Sequence, residues 1–326
     1  MNQITKPIHH IKDVFSDTIS TSLILFKIMI PVSIIVKILE YTGLITQIGD
    51  ILSPFMQLLG LPGETGLVWA TAMITNIYGG IIVFITLASE QIFTVAQATI
   101  LGSMILIAHS LPVEVTIARK AGIRVWFTII FRILSACLFG FILHTIFSFF
   151  QLFNTPSSMA WTKAPQNATI LDWIINQLRN YLLIFIIIFT LLLLMKLLKK
   201  AGIINKLNQW MEPALEFLGM SKKAAPITII GTTLGISYGG GLIIKEAQSG
   251  DLSKKDAFLS VSLMGLSHSL IEDTILMMTI GASLVGILFG RVMFSIIIMI
   301  ILINLIKRIS ENRFYTLFSI GQKKDS

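Results

Sequence analysis

Apolar runs at 19–39, 126–150, 181–198 and 283–306 are each long enough to cross a hydrocarbon core of roughly 30 Å. Between them, polar and apolar stretches follow an order that occurs twice. A span at about 20–40 leads into an amphipathic stretch at 44–60, a glycine-interrupted segment at 66–90, and two more spans near 97–118 and 125–150. The second half repeats the series at 180–198, 203–219, 224–249, 257–280 and 283–306. The pattern predicts an all-α polytopic membrane protein with six transmembrane helices and two re-entrant helical hairpins. It divides the chain into a cytoplasmic segment (1–19), a first repeat (20–150), an extracytoplasmic connector (151–179), a second, inverted repeat (180–306) and a basic cytoplasmic tail (307–326).

The halves share residues as well as hydropathy. An offset of 159 carries Gly43 to Gly202, Pro54 to Pro213, Gly60 to Gly219, Arg132 to Arg291, and His109-Ser110-Leu111 to His268-Ser269-Leu270. An offset of 160 carries Tyr78-Gly79-Gly80 to Tyr238-Gly239-Gly240. Internal duplication in an apolar chain is a signature of secondary transporters.

Composition agrees with a membrane setting. Charged residues make up 13% and the mean hydropathy is +0.83, against about a quarter charged in soluble domains. The N-terminus shows no removable signal peptide. The single cysteine, Cys137, excludes an intramolecular disulfide and a Cys-rich metal site. The net charge of +8 is set by topology rather than by nucleic acid. From Tyr41 to Thr94 there is no Lys or Arg, whereas the equivalent part of the second half holds Lys199, Lys200, Lys206, Lys222 and Lys223. Basic residues mark the cytoplasmic side, so the repeats face opposite ways. Each hairpin then enters and leaves by one face, both termini are cytoplasmic, and a prokaryotic inner membrane is the expected location.

Glycine in mid-segment permits positive φ and weakens a helix. The Tyr-Gly-Gly triplets are therefore expected to break the hairpins, whose tips would meet near the midplane and bind a solute or an ion. Close helix packing is the other reading, because Gly231, Gly235 and Gly239 form a small-residue ridge. Ionisable residues at membrane depth are the strongest functional signal. His109 and Glu114 lie in the third segment of the first repeat, and His268, Glu272 and Asp273 in that of the second. His268 and Glu272 share a helical face, and Pro112 is expected to kink the first segment. A His–carboxylate pair in each half suits proton coupling or solute contact; helix-to-helix hydrogen bonding is the structural alternative.

The candidate substrate site therefore comprises Asn76, Tyr78, Gly79, Gly80, His109, Glu114, Ser237, Tyr238, Gly239, Gly240, Gly241, His268, Glu272 and Asp273. Arg132 and Arg291 are secondary candidates, for an anionic substrate, for pairing with Glu114 or Asp273, or for snorkelling. Lys245 and Glu246 occur only in the second hairpin. No phosphate-binding loop, GxSxG, HExxH or Cys/His ligand set is present, so no enzyme, resident metal or cofactor is expected. Asn167-Ala168-Thr169 matches a glycosylation pattern of low specificity.

Tyr78-Gly79-Gly80, His109-Ser110-Leu111-Pro112-Val113-Glu114, Tyr238-Gly239-Gly240-Gly241 and His268-Ser269-Leu270-Ile271-Glu272-Asp273 together resemble the nucleoside-recognition (Gate) domain family of membrane proteins. The resemblance covers most of 20–306, as two Gate units in one chain. Related units occur in concentrative nucleoside transporters, in bacterial ferrous-iron transporters and in the paired sporulation maturation proteins. The resemblance implies an inverted-repeat transport core whose hairpins hold the solute. The chain departs from the iron transporters in having no attached GTPase and a single cysteine, and from the nucleoside transporters in lacking their scaffold helices. The reading is a secondary-transporter-like protein binding a small polar solute (nucleoside-like, organic anion or metal ion), with a proton as coupling ion. The lipid bilayer and a second copy of the chain are its expected partners. A non-transporting membrane scaffold and an ion channel are the alternatives.

Overall fold

The computed structural model describes residues 5–161 and 169–320, and its regular elements are helices. The first half comprises α1 (Thr5–Tyr41), α2 (Leu44–Gln57), α3 (Thr65–Ile74), α4 (Ile77–Glu90), α5 (Val95–Ile107), α6 (Leu111–Lys120) and α7 (Val125–Phe149). The second comprises α8 (Ile170–Lys200), α9 (Ile203–Phe217), α10 (Ala224–Leu234), α11 (Ile236–Ser249), α12 (Lys254–Leu266), α13 (Glu272–Met278) and α14 (Arg291–Lys307), the last preceded by a π-helical turn at Val285–Gly290. A short α15 (Glu311–Phe318) follows. Helices α9 to α12 each start 159 residues after α2 to α5. One offset thus holds through the hairpins, and the offset of 160 between the Tyr-Gly-Gly triplets is one residue out of structural step.

Among the described residues, five stretches are long and apolar enough to cross a membrane: Lys12–Tyr41, Val95–Lys120, Val125–Phe149, Ile170–Lys200 and Val285–Lys307. The outermost helices start earlier than their apolar runs. Helix α8 begins at Ile170, inside the stretch expected to be a connector, because Thr169 and Asp172 form a capping box there. Asn167 and Ala168 lie outside the described residues. Helices α1 and α8 pack together through Ser33 Oγ and Tyr181 OH, 2.7 Å apart, and through Phe15 on Phe185.

Helices α3 and α4 are roughly 15 and 21 Å long at 1.5 Å per residue, too short to cross alone. They fold back on each other. A methyl group on Gly80 would lie 2.8 Å from Ala72 Cβ, and one on Gly239 would overlap Gly231 in the equivalent pair α10–α11. The glycine triplets do not make the breaks. Their residues lie in the first turns of α4 and α11 with none at positive φ. The first hairpin turns at Thr75 and Asn76, where Asn76 Oδ1 accepts from Gly79 N at 3.0 Å. The second turns at Gly235, with φ 99°. An N-cap and one positive-φ glycine suffice to turn the chain, leaving the other glycines for close packing.

The third segment of each half is not one unbroken helix but two pieces. Helix α5 stops at Ile107 and α6 starts at Leu111; α12 stops at Leu266 and α13 starts at Glu272. Ser110 and Ser269 stand in the left-handed region, at φ 48° and 47°. Pro112 is not the cause. It occupies the first turn of α6, where its missing N–H costs nothing, and Ile271 holds the equivalent place beside the same break.

Contacts between segment ends define two faces. At one, Val95 N donates to Thr155 O (2.9 Å), Ser157 N to Phe93 O (2.8 Å), and Trp161 Nε1 to Thr279 Oγ1 (2.9 Å). At the other, Arg124 N donates to Phe318 O (2.9 Å) and Ser221 N to Asp256 Oδ1 (3.0 Å), and Lys196 approaches Asp13. Helix α5 starts at the first face, whereas α12 starts at the second, with Lys254 beside Gly122. Equivalent helices therefore run in opposite directions. The tail is more than a basic anchor: Phe314 and Phe318 of α15 pack on Phe258, and Phe318 also on Phe127.

Candidate functional site

Stopping a helix inside a protein leaves its last carbonyls without N–H partners. At the end of α5, His109 Nδ1 takes Ile105 O at 2.8 Å, Arg291 Nη2 takes Leu106 O at 2.9 Å, and Arg132 takes Ile107 O at 2.8 Å and His109 O at 3.2 Å. At the end of α12, His268 Nδ1 takes Met264 O at 2.8 Å, Arg132 Nε takes Gly265 O at 3.2 Å, and Arg291 takes Leu266 O at 2.9 Å and His268 O at 3.1 Å. Every contact has its counterpart 159 residues on. Each arginine caps both halves, so a pseudo-two-fold axis passes between the two breaks.

His109 and His268 meet on that axis, with Nε2 atoms 3.2 Å apart. A backbone carbonyl only accepts, so each Nδ1 carries a proton, and a ring in its neutral form presents a bare Nε2 lone pair to the other. Two lone pairs so placed repel unless a proton or another cation stands between them.

Two carboxylates adjoin the pair. Glu114 Oε2 is ion-paired with Arg132 Nη1 at 2.5 Å, while its Oε1 lies 3.6 Å from His268 Nε2 and 3.9 Å from His109 Nε2. Asp273 Oδ2 lies 3.8 Å from His268 Nε2. Asp273 stands 159 residues after Glu114, and it joins the centre, while Glu272, four residues after His268 and across the break, is only half-buried. The symmetry fails at Asp273: among the described residues it forms no ion pair with Arg291 and, of the two histidines, approaches His268 alone within 4.0 Å, whereas Glu114 reaches both. His109, Glu114, Arg132, His268 and Arg291 are each 6% exposed or less. Buried polar atoms are normally partnered, yet Glu114 Oε1, Asp273 Oδ2 and Arg291 Nη1 accept or donate no hydrogen bond. One ligand atom each from His109, His268 and Asp273 lies within 4.8 Å of the others, a spacing open to a metal ion.

The hairpins support this centre rather than form it. Their tips, expected to meet, make no extensive contact among the described residues; each hairpin packs instead on a broken helix of its own half, α3 on α5 and α10 on α12. Ser110 N donates to Ala72 O at 2.9 Å and Leu270 N to Thr232 O at 3.0 Å, tying each break to the first arm of its own hairpin. Asn76 caps α4, Gly79 packs on Thr75, Gly80 on Ala72, Gly239 on Gly231 and Gly240 on Ile117 of α6, while Gly241 faces open space. Half-buried Tyr78 lies within electrostatic reach of Glu272 and Asp273. The side chains of Ser237 and Tyr238 lie outside the described residues. Lys245 is exposed, and Glu246 lines a surface cleft with Lys222, Lys223 and Asp251.

The sequence reading missed Ser103 and Ser262. They are 159 residues apart on α5 and α12, both buried with hydroxyls that find no partner. Their matching offset was the available signal.

Residues 22–124 match the model of the Gate family, described as nucleoside recognition. That range runs from α1 through the His109–Glu114 motif. The membrane protein YvoD of Bacillus subtilis (strain 168) is 25% identical over 281 residues, covering 85% of this chain and 89% of its own length. No solved structure matches the chain. The chain is therefore a polytopic membrane protein, and its residues 22–124 are similar to the Gate family.

Proposed function

We propose that this protein is a secondary-transporter-like carrier, not an enzyme, in which a small polar solute or ion passes between the two inverted halves at the His109–His268 centre. The observation that carries the reading is the pair of broken helices meeting back to back, with ionisable side chains at the breaks. Interrupted helices at an inverted-repeat interface are how transporters expose polar groups at membrane depth, and buried ionisable residues there are costly unless used. The proton serves as coupling ion: it competes with the solute for the facing Nε2 atoms, so one leaves as the other binds. The lysine-bearing face is cytoplasmic, as basic residues mark that side of a prokaryotic inner membrane, and both termini lie there.

A static scaffold is the second reading, favoured by one observation: both histidines and both arginines cap helix ends. It leaves Glu114 Oε1 and Asp273 Oδ2 without a role. A thermal-shift screen of the detergent-purified protein against nucleosides, nucleobases, small carboxylates and divalent metals separates the two. A carrier is stabilised by its solute by RT ln(1 + [L]/Kd), about 2.7 kcal/mol at a hundredfold excess over Kd. Silence from every class would favour the scaffold.

A further inference from the structure

We infer that His109, His268, Glu114 and Asp273 form a site for a divalent transition-metal ion of the zinc or ferrous class, straddling the pseudo-two-fold axis. The inference rests on the carrier reading for its purpose but not for its geometry. A cation at the centre of the triangle made by His109 Nε2, His268 Nε2 and Glu114 Oε1 lies about 2.1 Å from all three, the length of a Zn–N or Zn–O bond. Asp273 stands alongside, its ligand oxygen within 4.8 Å of the imidazoles, in place to become a fourth ligand.

The surroundings are those of a metal site. Each imidazole donates its other nitrogen to a backbone carbonyl, which fixes the tautomer and points Nε2 inward. Arg132 holds the second oxygen of Glu114, leaving Oε1 turned toward the imidazoles. Two of the atoms that would ligate, Glu114 Oε1 and Asp273 Oδ2, are buried with no hydrogen-bond partner among the described residues, and the two Nε2 atoms face each other at 3.2 Å. A cation resolves all four at once.

The donor set narrows the ion. Imidazole with carboxylate suits zinc, iron, nickel or cobalt, whereas magnesium and calcium take all-oxygen cages and cuprous copper takes sulfur. The two Nε2 atoms and Glu114 Oε1, 3.2–3.9 Å apart, leave room for an ion between them, not for a nucleoside. Two guanidiniums offset two carboxylates, so the ion enters a site of zero net formal charge. Release then stays possible, as transit requires.

The test uses the full-length protein, purified in detergent and stripped with a chelator. Zinc is titrated calorimetrically, and cobalt by visible absorption, where four-coordinate cobalt gives intense bands. The wild type is expected to bind one ion per chain. His109→Asn and His268→Asn keep a donor where Nδ1 stood but remove Nε2. They should melt near the wild-type temperature without metal, lose the cobalt bands and bind at least about tenfold more weakly, since even outer-shell partners are worth 10–100-fold. Asp273→Asn and Glu114→Gln carry the same test should either asparagine variant fail to fold. Failure of the wild type to bind a stoichiometric ion, or undiminished binding in folded variants, would overturn the site. Metal binding without flux would sink the carrier reading and leave the site standing; flux of another solute without metal binding would do the reverse.

Discussion

Arg132 and Arg291 each bridge the two halves of the molecule, Arg132 donating to Gly265 O of the second half at 3.2 Å and Arg291 to Leu106 O of the first at 2.9 Å. Each guanidinium also caps two carbonyls of its own half. Two side chains thus hold together the broken helices that make the site.

Replacing either arginine by methionine strands three buried carbonyls. Such losses cost about 3 kcal/mol or more, read as a lower melting temperature in detergent. Lysine should not rescue, because one ammonium on a flexible stem lacks the fork that reaches several acceptors. Arg132→Met should cost more than Arg291→Met, since it alone leaves a paired carboxylate uncompensated, and adding Glu114→Gln should recover part of the difference. Equal losses without coupling would contradict the ion pair.

The breaks belong to the serines, not to the proline. Pro112→Ile copies the second half, where Ile271 stands, and should change stability by less than about 1 kcal/mol. Ser110→Val or Ser269→Val puts a β-branched residue at positive φ and should cost about 1–2 kcal/mol, while glycine at either place should be neutral or better. A large effect of Pro112→Ile in thermal unfolding would restore the proline as the cause.

The hairpin glycines divide by contact. Gly80→Ala and Gly239→Ala drive a methyl group into the opposing arm and should cost about 1–3 kcal/mol. Gly241→Ala meets nothing within 4 Å and should gain roughly 0.5–1 kcal/mol from helix propensity. The three melting temperatures, measured side by side, decide it.

These contrasts mark how far the sequence could be read. The duplication, the opposed orientation and the His109 and His268 motifs were legible, because an offset and an uneven distribution of lysines are one-dimensional facts. The pairing of His109 with His268 was not, since residues 159 apart carry no local signal of contact. The sequence pointed to both Glu272 and Asp273 and set Glu272 on the helical face of His268; the left-handed turn at Ser269 interrupts that helix, and it is Asp273 that stands beside the imidazoles. The position of the hairpin breaks was misread for a related reason. Glycine allows both a turn and a close approach, and only the packing against Ala72 and Gly231 says which is used.

Opposed halves also predict a labelling pattern. In a Cys137→Ser background, Tyr41→Cys and Asn154→Cys should react with an impermeant thiol reagent from outside whole cells. Lys223→Cys and Arg313→Cys should react only after permeabilisation. Labelling of all four from one side would refute the inverted arrangement.

The most direct measurement is flux through the His109–His268 centre. Reconstituted into vesicles with a pH-sensitive dye trapped inside, the wild type should take up its solute, divalent cations and nucleosides being tested first, with a matching change of internal pH. His109→Asn and His268→Asn, checked for a normal melting temperature, should carry neither. Absence of flux for every solute in a well-folded wild type, or equal flux in both variants, would contradict a carrier built around these two histidines.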